Sequence, residues 1–147
     1  MTEVSGDAHA QSLSCAIHPL GALKTYRYVV ILSFEGDLIL LSRRRDRLTW
    51  ETQGGHIEPH ETPIDAARRE LYEESGALEY DMTPLCDYFG YTETSSSNGM
   101  VFVAQIKRRG ALPESEMGEA RAFPALPDNL TYPHVTPALF ACAIDNK

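Results

Sequence analysis

Residues 54–77, GGHIEPHETPIDAARRELYEESGA, constrain this chain more than any other segment, because they predict a helix with both ends marked. Thr62 suits the N-cap, and Pro63 suits the first helical position, where a missing N–H costs nothing. Gly76 can end the helix in the left-handed conformation. Apolar residues recur at helical spacing and predict one face packed against a core: Ile64, Ala67 and Leu71.

Glu70, Glu73 and Glu74 form a carboxylate edge beside that apolar face. At spacings of three and four residues, Cβ atoms on a helix lie roughly 5–6 Å apart, and like charges there destabilise the helix by about 0.2–0.5 kcal/mol per pair. A hard divalent cation would offset this cost, because Mg²⁺ takes oxygen from carboxylates, water and phosphates. The three glutamates alone would favour a plain acidic surface helix, and it is the glycine pair, the arginine and the full spacing together that favour a metal site. Gly54 and Gly55 allow a tight turn and the close approach of a backbone carbonyl to a ligand.

Residues 55–77 resemble the Nudix box, Gly-x5-Glu-x7-Arg-Glu-U-x-Glu-Glu-x-Gly-U, in which U is apolar. The box covers 23 of the 147 residues, and all nine defined positions match: Gly55, Glu61, Arg69, Glu70, Leu71, Glu73, Glu74, Gly76 and Ala77. The resemblance implies an α/β fold, with a Nudix-type α/β/α sandwich around a mixed β-sheet, in a single domain spanning 1–147. It also implies a pyrophosphohydrolase that uses Mg²⁺ or Mn²⁺ to cleave nucleoside diphosphates linked to another moiety.

The same resemblance implies roles for individual residues. The expected catalytic residues are Glu70, Glu73, Glu74 and Arg69, with motif support from Gly54, Glu61 and Gly76. The expected metal ligands are Glu70, Glu74, Glu73 and the backbone carbonyl of Gly55. Arg69 is expected to orient the glutamates, since a guanidinium suits bidentate carboxylate pairing. Glu70 is the first candidate for general base. Three loop residues are alternatives as base or ligand, although a solvated surface position is favoured for each: Glu116, Glu114 and Glu119.

Strand and turn patterns on both sides of the helix predict a sheet with a second, C-terminal helix. Residues 1–14 are expected to be loose, 110–119 to form a loop, and 95–99 to join a hairpin through Asn98-Gly99. The predicted strands are 26–34, 38–42, 49–52, 87–94, 100–107 and 121–126, and the final helix is 136–144. Two features have a functional and a plainer interpretation: Arg43–Arg45 could contact phosphates or form a solvated turn, and Trp50 could stack on a base or belong to the core.

The amino-acid composition limits the classes of partner that this chain is expected to bind. A net charge of −8 argues against a nucleic-acid groove or an anionic membrane surface as partner. We find no bilayer-length apolar run and no signal-peptide pattern at the N-terminus, so a cytoplasmic location is expected. Cys15, Cys86 and Cys142 fit neither a disulfide framework nor a zinc pattern, and small buried thiols are favoured. The expected partner is a small-molecule nucleotide, and a homodimer stays an open alternative.

The box implies chemistry and leaves the substrate open. A nucleoside triphosphate is the first hypothesis. The same chemistry on a nucleotide sugar, ADP-ribose or a dinucleoside polyphosphate is the second. An RNA-end pyrophosphohydrolase is disfavoured by the acidic charge, since RNA binding draws on Lys and Arg contacts to phosphates. A nucleotide sensor without catalysis is disfavoured because all three box glutamates are present.

Overall fold

The computed structural model describes residues 13–145. The prediction of a loose segment over 1–14 falls mostly on residues 1–12, which lie outside the described residues, whereas Ser14 begins a strand. No helix in the described part of the chain is long and apolar enough to cross a membrane.

Within residues 13–145, two helices and eight strands form the fold. The helices are α1 (Pro63–Ser75) and α2 (Thr136–Asp145). The strands are β1 (Ser14–His18), β2 (Tyr28–Glu35), β3 (Leu38–Arg44), β4 (Trp50–Glu51), β5 (Gln53–His56), β6 (Ala77–Tyr91), β7 (Ser96–Arg109) and β8 (Met117–Phe123).

These strands form one mixed sheet in the order β1-β6-β7-β2-β3-β4, with β5 beside β2 and β8 beside β3. The pairing of β2 with β7 is parallel, and the other strand pairs are antiparallel. β2 has a divided edge: its first half pairs with β5 and its last residues pair with β3. This division brings the glycine-containing strand β5 alongside the centre of the sheet.

The two faces of the sheet are covered by different helices. Alternate residues of β2 point to opposite faces, as the period of two in a strand requires: Val29 and Ile31 pack with Ala67 and Leu71 of α1, while Leu32 and Phe34 pack with Leu139 and Phe140 of α2. The predicted α/β/α sandwich around a mixed sheet is therefore confirmed.

The predicted ends of α1 are also confirmed. Thr62 caps the helix in a capping box with Asp65, Pro63 starts it, and Gly76 ends it in the left-handed conformation with φ of 77°. The cap N–H of Gly76 bonds the carbonyl of Tyr72. These local interactions fix where the carboxylate edge of α1 begins and ends.

The predicted hairpin turn at 95–99 is wrong. The turn lies at Thr92–Ser95, where the Thr92 N–H donates to the Ser95 carbonyl, and Asn98 and Gly99 lie inside β7. Gly99 is required there because a Cβ would strike the ring of Tyr28. The hairpin is also longer than predicted, since β6 starts directly after α1 and β7 extends to Arg109.

The glycine pair forms a strand instead of the predicted turn. Gly54 pairs with Val30 and Gly55 with Val29, and a Cβ on Gly54 would collide with the Val29 carbonyl oxygen. Close approach of two backbones is therefore the reason for glycine at position 54. Two smaller corrections apply: β1 had no prediction, and β8 starts at Met117, inside the segment predicted as a loop.

Candidate active site

The glycine strand β5 lies against the carboxylate edge of α1. The Gly54 N–H donates to Glu74 Oε1 at 2.8 Å. At Gly55, a Cβ would occupy the space that the Glu70 carboxyl group fills. Glycine at position 55 therefore admits the Glu70 carboxyl group against the backbone, and any side chain there would displace it.

The guanidinium group of Arg69 contacts three glutamates at defined positions of the box pattern. Its Nε and Nη2 donate to the two oxygens of Glu61 at 2.7 and 2.9 Å, and its Nη1 donates to Glu70 Oε2 at 3.0 Å. Nη1 also lies 3.5 Å from Glu73 Oε1. Nη2 also donates to the His56 carbonyl oxygen at 3.1 Å, and this contact joins α1 to the end of β5. This forked geometry restrains the side chain of Glu70 beside Gly55.

Glu61 is the partner that secures Arg69. Its Oε1 also accepts from the Glu58 N–H at 2.9 Å. Hydrogen bonds from Arg69 lower the pKa of Glu61 to about 2, with help from that backbone N–H. Glu61 therefore stays charged at any pH at which such a protein would work.

Burial makes the charged forms of Glu74 and Glu70 unfavourable. Burial raises the pKa of Glu74 to about 9, and the charges of Glu70, Glu51 and Glu73 raise it further, against a lowering by the Gly54 N–H. Burial also raises the pKa of Glu70, although Arg69 opposes this. A side-chain hydrogen bond joins Glu70 to Glu74. The site therefore brings together carboxyl groups whose charged forms have little compensation besides Arg69.

The donor set fits a hard divalent cation in type and charge. Carboxylate oxygens and a backbone carbonyl are the ligands that Mg²⁺ and Mn²⁺ take, and mutual repulsion of the carboxylates would be relieved by a cation. As the side chains stand in residues 13–145, no group of three or more His, Cys, Asp or Glu side chains is arranged to hold a metal ion. Glu70 turns toward Arg69, and Glu74 turns toward the Gly54 N–H.

A cavity of about 530 Å³ adjoins the glycine strand. Its volume lies within the range of about 300–1,000 Å³ that small-molecule sites occupy. Gly54, Gly55 and His56 line one part of it, so the cavity is continuous with the box. Its remaining walls come from β2, β4, the β6–β7 hairpin, α2 and the segment just before α2. They include Tyr28, Val30, Glu51, Tyr88, Ser95, Tyr132, Val135 and Leu139.

Glu51 is a cavity residue that the sequence did not single out. It is 8% exposed, and its Oε1 accepts from Thr131 Oγ1 at 2.9 Å and from Arg47 Nη1 at 3.1 Å. Burial raises its pKa. The only sequence signal for Glu51 was a carboxylate in a predicted short strand, three residues before Gly54. Its partner Thr131 lies 80 residues along the chain, so local pattern alone could not place it.

Arg27 is a second residue that the sequence did not single out. It lines the cavity beside His56, and its backbone pairs with Asn98 and Ile57. Among residues 13–145, no hydrogen bond or ion pair engages its guanidinium group. An exposed cation that lines the cavity is suited to a phosphate, because bidentate contacts to phosphate are typical of arginine.

The three loop glutamates have other neighbours. Glu116 pairs with Arg44 at 2.7 Å, Glu119 pairs with Arg121 at 2.9 Å and lies 3.6 Å from Arg43, and Glu114 is exposed. The charges that raise the pKa of Glu74 come from Glu70, Glu51 and Glu73. As alternatives for base or ligand, the loop glutamates remain a prediction, and Glu51 lies in the stronger electrostatic contact with Glu74.

For the other residues with two interpretations, the observed contacts are those of a structural role. Trp50 is 5% exposed, packs edge-on against Phe123, and has the Arg121 guanidinium 4.9 Å from its ring centre. It therefore belongs to the core and offers no free face to a base. Arg43 and Arg44 are held by carboxylates and, for Arg43, by backbone carbonyls of Arg44 and Arg47. The three cysteines form no disulfide in the described part of the chain; Cys86 lies in one core cluster, and Cys15 and Cys142 pack against it.

Comparison with known proteins agrees with this architecture. A 52-residue stretch is 44% identical to an m7GpppN-mRNA hydrolase of Bos taurus, covering 32% of this chain and 17% of that protein. A 49-residue stretch is 41% identical to a putative 8-oxo-dGTP diphosphatase of Bacillus subtilis, covering 33% of this chain and 32% of that protein. The matches thus span less than a third of either relative, and the names of the two relatives differ in substrate.

A solved Bacillus subtilis pyrophosphohydrolase shares the fold. The two structures align with a TM-score of 0.77 at 20% identity, over 91% of this chain and 89% of that chain. The family model described as NUDIX domain matches residues 23–129, from before β2 to a point within the segment that joins β8 to α2. Since that match covers most of the chain and contains both the glycine strand and the carboxylate edge of α1, the chain belongs to the NUDIX family.

Proposed function

We propose that this chain is a pyrophosphohydrolase that depends on Mg²⁺ or Mn²⁺ and cleaves the diphosphate linkage of a nucleoside triphosphate. The observation that carries the proposal is the contact of the glycine strand with the carboxylate edge: the Glu70 carboxyl group fills the space beside Gly55, and Glu74 accepts from the Gly54 N–H. Both glycines also line the cavity of about 530 Å³. Burial of such a cluster of carboxyl groups is unfavourable unless a bound cation and a polyanionic substrate complete the site.

Each residue of the site has a distinct task in this proposal. Glu70, Glu73, Glu74 and the Gly55 carbonyl would hold the cation, which supplies a polarised water and stabilises charge on phosphoryl oxygens. Arg69 restrains Glu70 through Nη1 and is itself fixed by Glu61. Glu70 accepts the proton of the attacking water. The Gly54 N–H orients Glu74 through Oε1.

The cavity supports a nucleoside as the remainder of the substrate. Phosphates near Gly55 and Arg27 would leave the base and sugar to the part of the cavity walled by Tyr28, Tyr132 and Leu139. Arg27 would neutralise phosphate charge that repels a protein of net charge −8.

RNA-end hydrolysis is the second candidate, because a relative is named an mRNA hydrolase. The charges of this chain support it less. Many arginines of residues 13–145 already pair with carboxylates, which reduces the cations available to an RNA backbone: Arg43, Arg44, Arg47, Arg69, Arg108, Arg109 and Arg121.

The test is a product assay on a panel of substrates with Mg²⁺, with Mn²⁺ and with excess EDTA. The panel holds nucleoside triphosphates, nucleotide sugars, ADP-ribose, dinucleoside polyphosphates and 5′-triphosphorylated RNA. We expect a nucleoside triphosphate to yield a monophosphate and pyrophosphate, with activity abolished by EDTA and restored by either cation. Reaction in ¹⁸O-water shows which phosphorus is attacked.

Two outcomes would contradict the proposal. Full activity in excess EDTA would exclude the cation-dependent mechanism. A nucleoside diphosphate and orthophosphate as the first products would exclude the triphosphate hypothesis in this form. Binding of nucleotides without turnover of any panel member would favour a sensor.

A further inference from the structure

Asp87 is a buried acid on β6 that takes no part in the proposed reaction. It is 0% exposed, and its Oδ2 accepts hydrogen bonds from the Leu23 N–H at 2.9 Å and from the Tyr26 O–H at 2.8 Å. Its Oδ1 is buried as well and has no hydrogen-bond partner among residues 13–145. Because an unsatisfied buried acceptor is unfavourable, the two bonds at Oδ2 partly compensate the burial of this acid.

Both donors to Asp87 belong to the segment 19–27, which joins β1 to β2. Lys24 in this segment adopts a left-handed conformation with φ of 64°, which is uncommon for a residue other than glycine. Such a conformation persists where the surrounding contacts enforce it. Besides Asp87, the side-chain amide of Asn98 holds the segment, since its Nδ2 donates to the Thr25 carbonyl oxygen at 3.0 Å. The path of the segment is therefore set by two residues from distant strands.

The anchored segment ends at Arg27, whose backbone is fixed on both sides. Its N–H donates to the Asn98 carbonyl oxygen at 2.9 Å, and its own carbonyl oxygen accepts from the Ile57 N–H at 2.9 Å. The carbonyl oxygen of His56, one residue earlier, accepts from Arg69 at 3.1 Å. Two consecutive residues at the end of β5 thus connect the backbone of Arg27 with the arginine of the box. The side chain of Arg27 is exposed and lines the cavity.

We propose that Asp87 and Tyr26 are positioning residues, which hold Arg27 where its side chain binds the phosphates of the substrate. This inference rests on the proposed function, in which Arg27 meets phosphate. Ordering a chain segment on binding reduces affinity, so a segment that is already fixed binds more tightly. Arg27 is the binding residue, and the other two act only through it. Burial and the hydrogen bond to Asp87 raise the pKa of Tyr26 to about 12, so its O–H remains a donor at neutral pH.

The first test is a double-mutant cycle of Tyr26→Phe and Arg27→Ala, read by calorimetric titration with inorganic tripolyphosphate in Mg²⁺. This probe has no base, so it reports phosphate contacts alone. We expect Kd to rise at least about 10-fold in Arg27→Ala and about threefold to 10-fold in Tyr26→Phe. Tyr26→Phe should add less than about twofold once Arg27 is alanine, because its effect acts through that side chain. Independent losses in the double variant would overturn the proposal.

The second test asks whether Asp87 acts as a hydrogen-bond acceptor. Asp87→Asn keeps a carbonyl oxygen for both donors, whereas Asp87→Ala removes it. We expect Kd for tripolyphosphate to stay within about twofold of native in Asp87→Asn and to rise at least about threefold in Asp87→Ala. An equal rise in both variants would overturn the acceptor role. If Asp87→Ala does not fold, Asp87→Asn and the cycle with Tyr26→Phe decide.

The matched control is Tyr91→Phe, which removes the hydroxyl group of an exposed tyrosine on β6 that stacks on Phe89. Its Kd for tripolyphosphate should equal that of the native protein, and a rise equal to that of Tyr26→Phe would overturn the proposal. In hydrolysis of a nucleoside triphosphate, Tyr26→Phe should raise KM and change kcat less than about twofold, as for a contact made equally with substrate and transition state. A lower kcat at unchanged KM would also overturn it.

The titration needs no turnover, so the two proposals can fail separately. Binding of tripolyphosphate in the expected order, without hydrolysis of any nucleoside triphosphate, would refute the proposed function and support the role of Asp87 and Tyr26. Hydrolysis of a nucleoside triphosphate, with a native Kd for tripolyphosphate in Arg27→Ala, would retain the proposed function and overturn this inference.

Discussion

At the scale of single residues, the surroundings of Glu74 disfavour the charged form of its side chain. The Glu74→Gln variant keeps the shape of the side chain and removes the ionisable group. We expect kcat to fall at least about 10²-fold, as for removal of an electrostatic group at a transition state. The free energy of unfolding without metal at pH 8 should stay level or rise, since a desolvated carboxylate beside Glu70 is gone. Steady-state kinetics and urea unfolding measure both, with Glu79→Gln as control. Near-native turnover would remove Glu74 from the site.

The two glycines of β5 should respond differently to alanine. In Gly55→Ala, the new Cβ meets the carboxyl group of Glu70, a flexible side chain that can move aside. A displacement of about 1 Å at a catalytic group can cost about 10²-fold in rate, so we expect a large loss of kcat with little loss of stability. In Gly54→Ala, the Cβ meets the Val29 carbonyl oxygen, which belongs to the backbone of the central strand. We expect that variant to unfold at lower urea. Reversed effects would contradict the roles inferred for the two positions.

At the scale of elements, the end of α1 nearest Glu61 depends on its cap. Thr62→Ala removes the hydrogen bond from the Asp65 N–H to Thr62 Oγ1 and leaves Asp65 without its reciprocal partner. Loss of such a cap costs about 0.5–2 kcal/mol in the free energy of unfolding. Because Glu70 and Glu74 lie about two and three turns further along, we expect kcat at saturating cation to change less than about twofold. Urea unfolding and steady-state kinetics measure the two effects, and Thr62→Ser, which keeps the cap, is the control. A large loss of kcat in Thr62→Ala would show that the cap positions the carboxylate edge.

The elements also show what local sequence can predict. The ends of α1 were predictable because Thr62, Pro63 and Gly76 act on their own neighbours. The hairpin turn was not, because the Asn98-Gly99 pair serves contacts to Thr25 and Tyr28 instead of a turn. The strand formed by Gly54 and Gly55 depends on pairing with β2, which no pattern within the glycine segment encodes.

At the scale of the whole molecule, the site joins parts of the chain that lie far apart in sequence. Glu51 reaches the cavity on β4, Arg27 precedes β2, and the apolar wall comes from α2. The box alone predicted the carboxylate edge, since its spacing is local to one helix. The partner residues of the cavity depend on which strands become neighbours, so they required the structure.

The buried carboxyl groups of the site should make the free energy of unfolding depend on pH. The pKa of Glu74 is about 9 in the folded protein, above the value of about 4.3 in an unfolded chain. The folded state therefore binds more protons between these values, and the free energy of unfolding should fall as pH rises from about 4.3 to about 9 in the absence of metal. Burial raises the pKa of Glu70 and Glu51 in the same direction. Urea unfolding in EDTA across this range measures the slope, and a rising stability over it would contradict the raised pKa values.

Cation binding should release the proton that Glu74 holds, because a metal ligand must be deprotonated. Below a pKa of about 9, the affinity for Mg²⁺ should therefore rise by up to about tenfold per pH unit, and it should level off above that value. Calorimetric titration with Mg²⁺ at several pH values, in buffers of different ionisation enthalpy, measures both the affinity and the protons released. In Glu74→Gln the ionisable group is absent, so the affinity should be weaker and the proton release should be smaller. An affinity for Mg²⁺ in the native protein that does not change between pH 6 and 9 would show that Glu74 gives up no proton to the cation, and the assignment of Glu74 as a ligand would then fail.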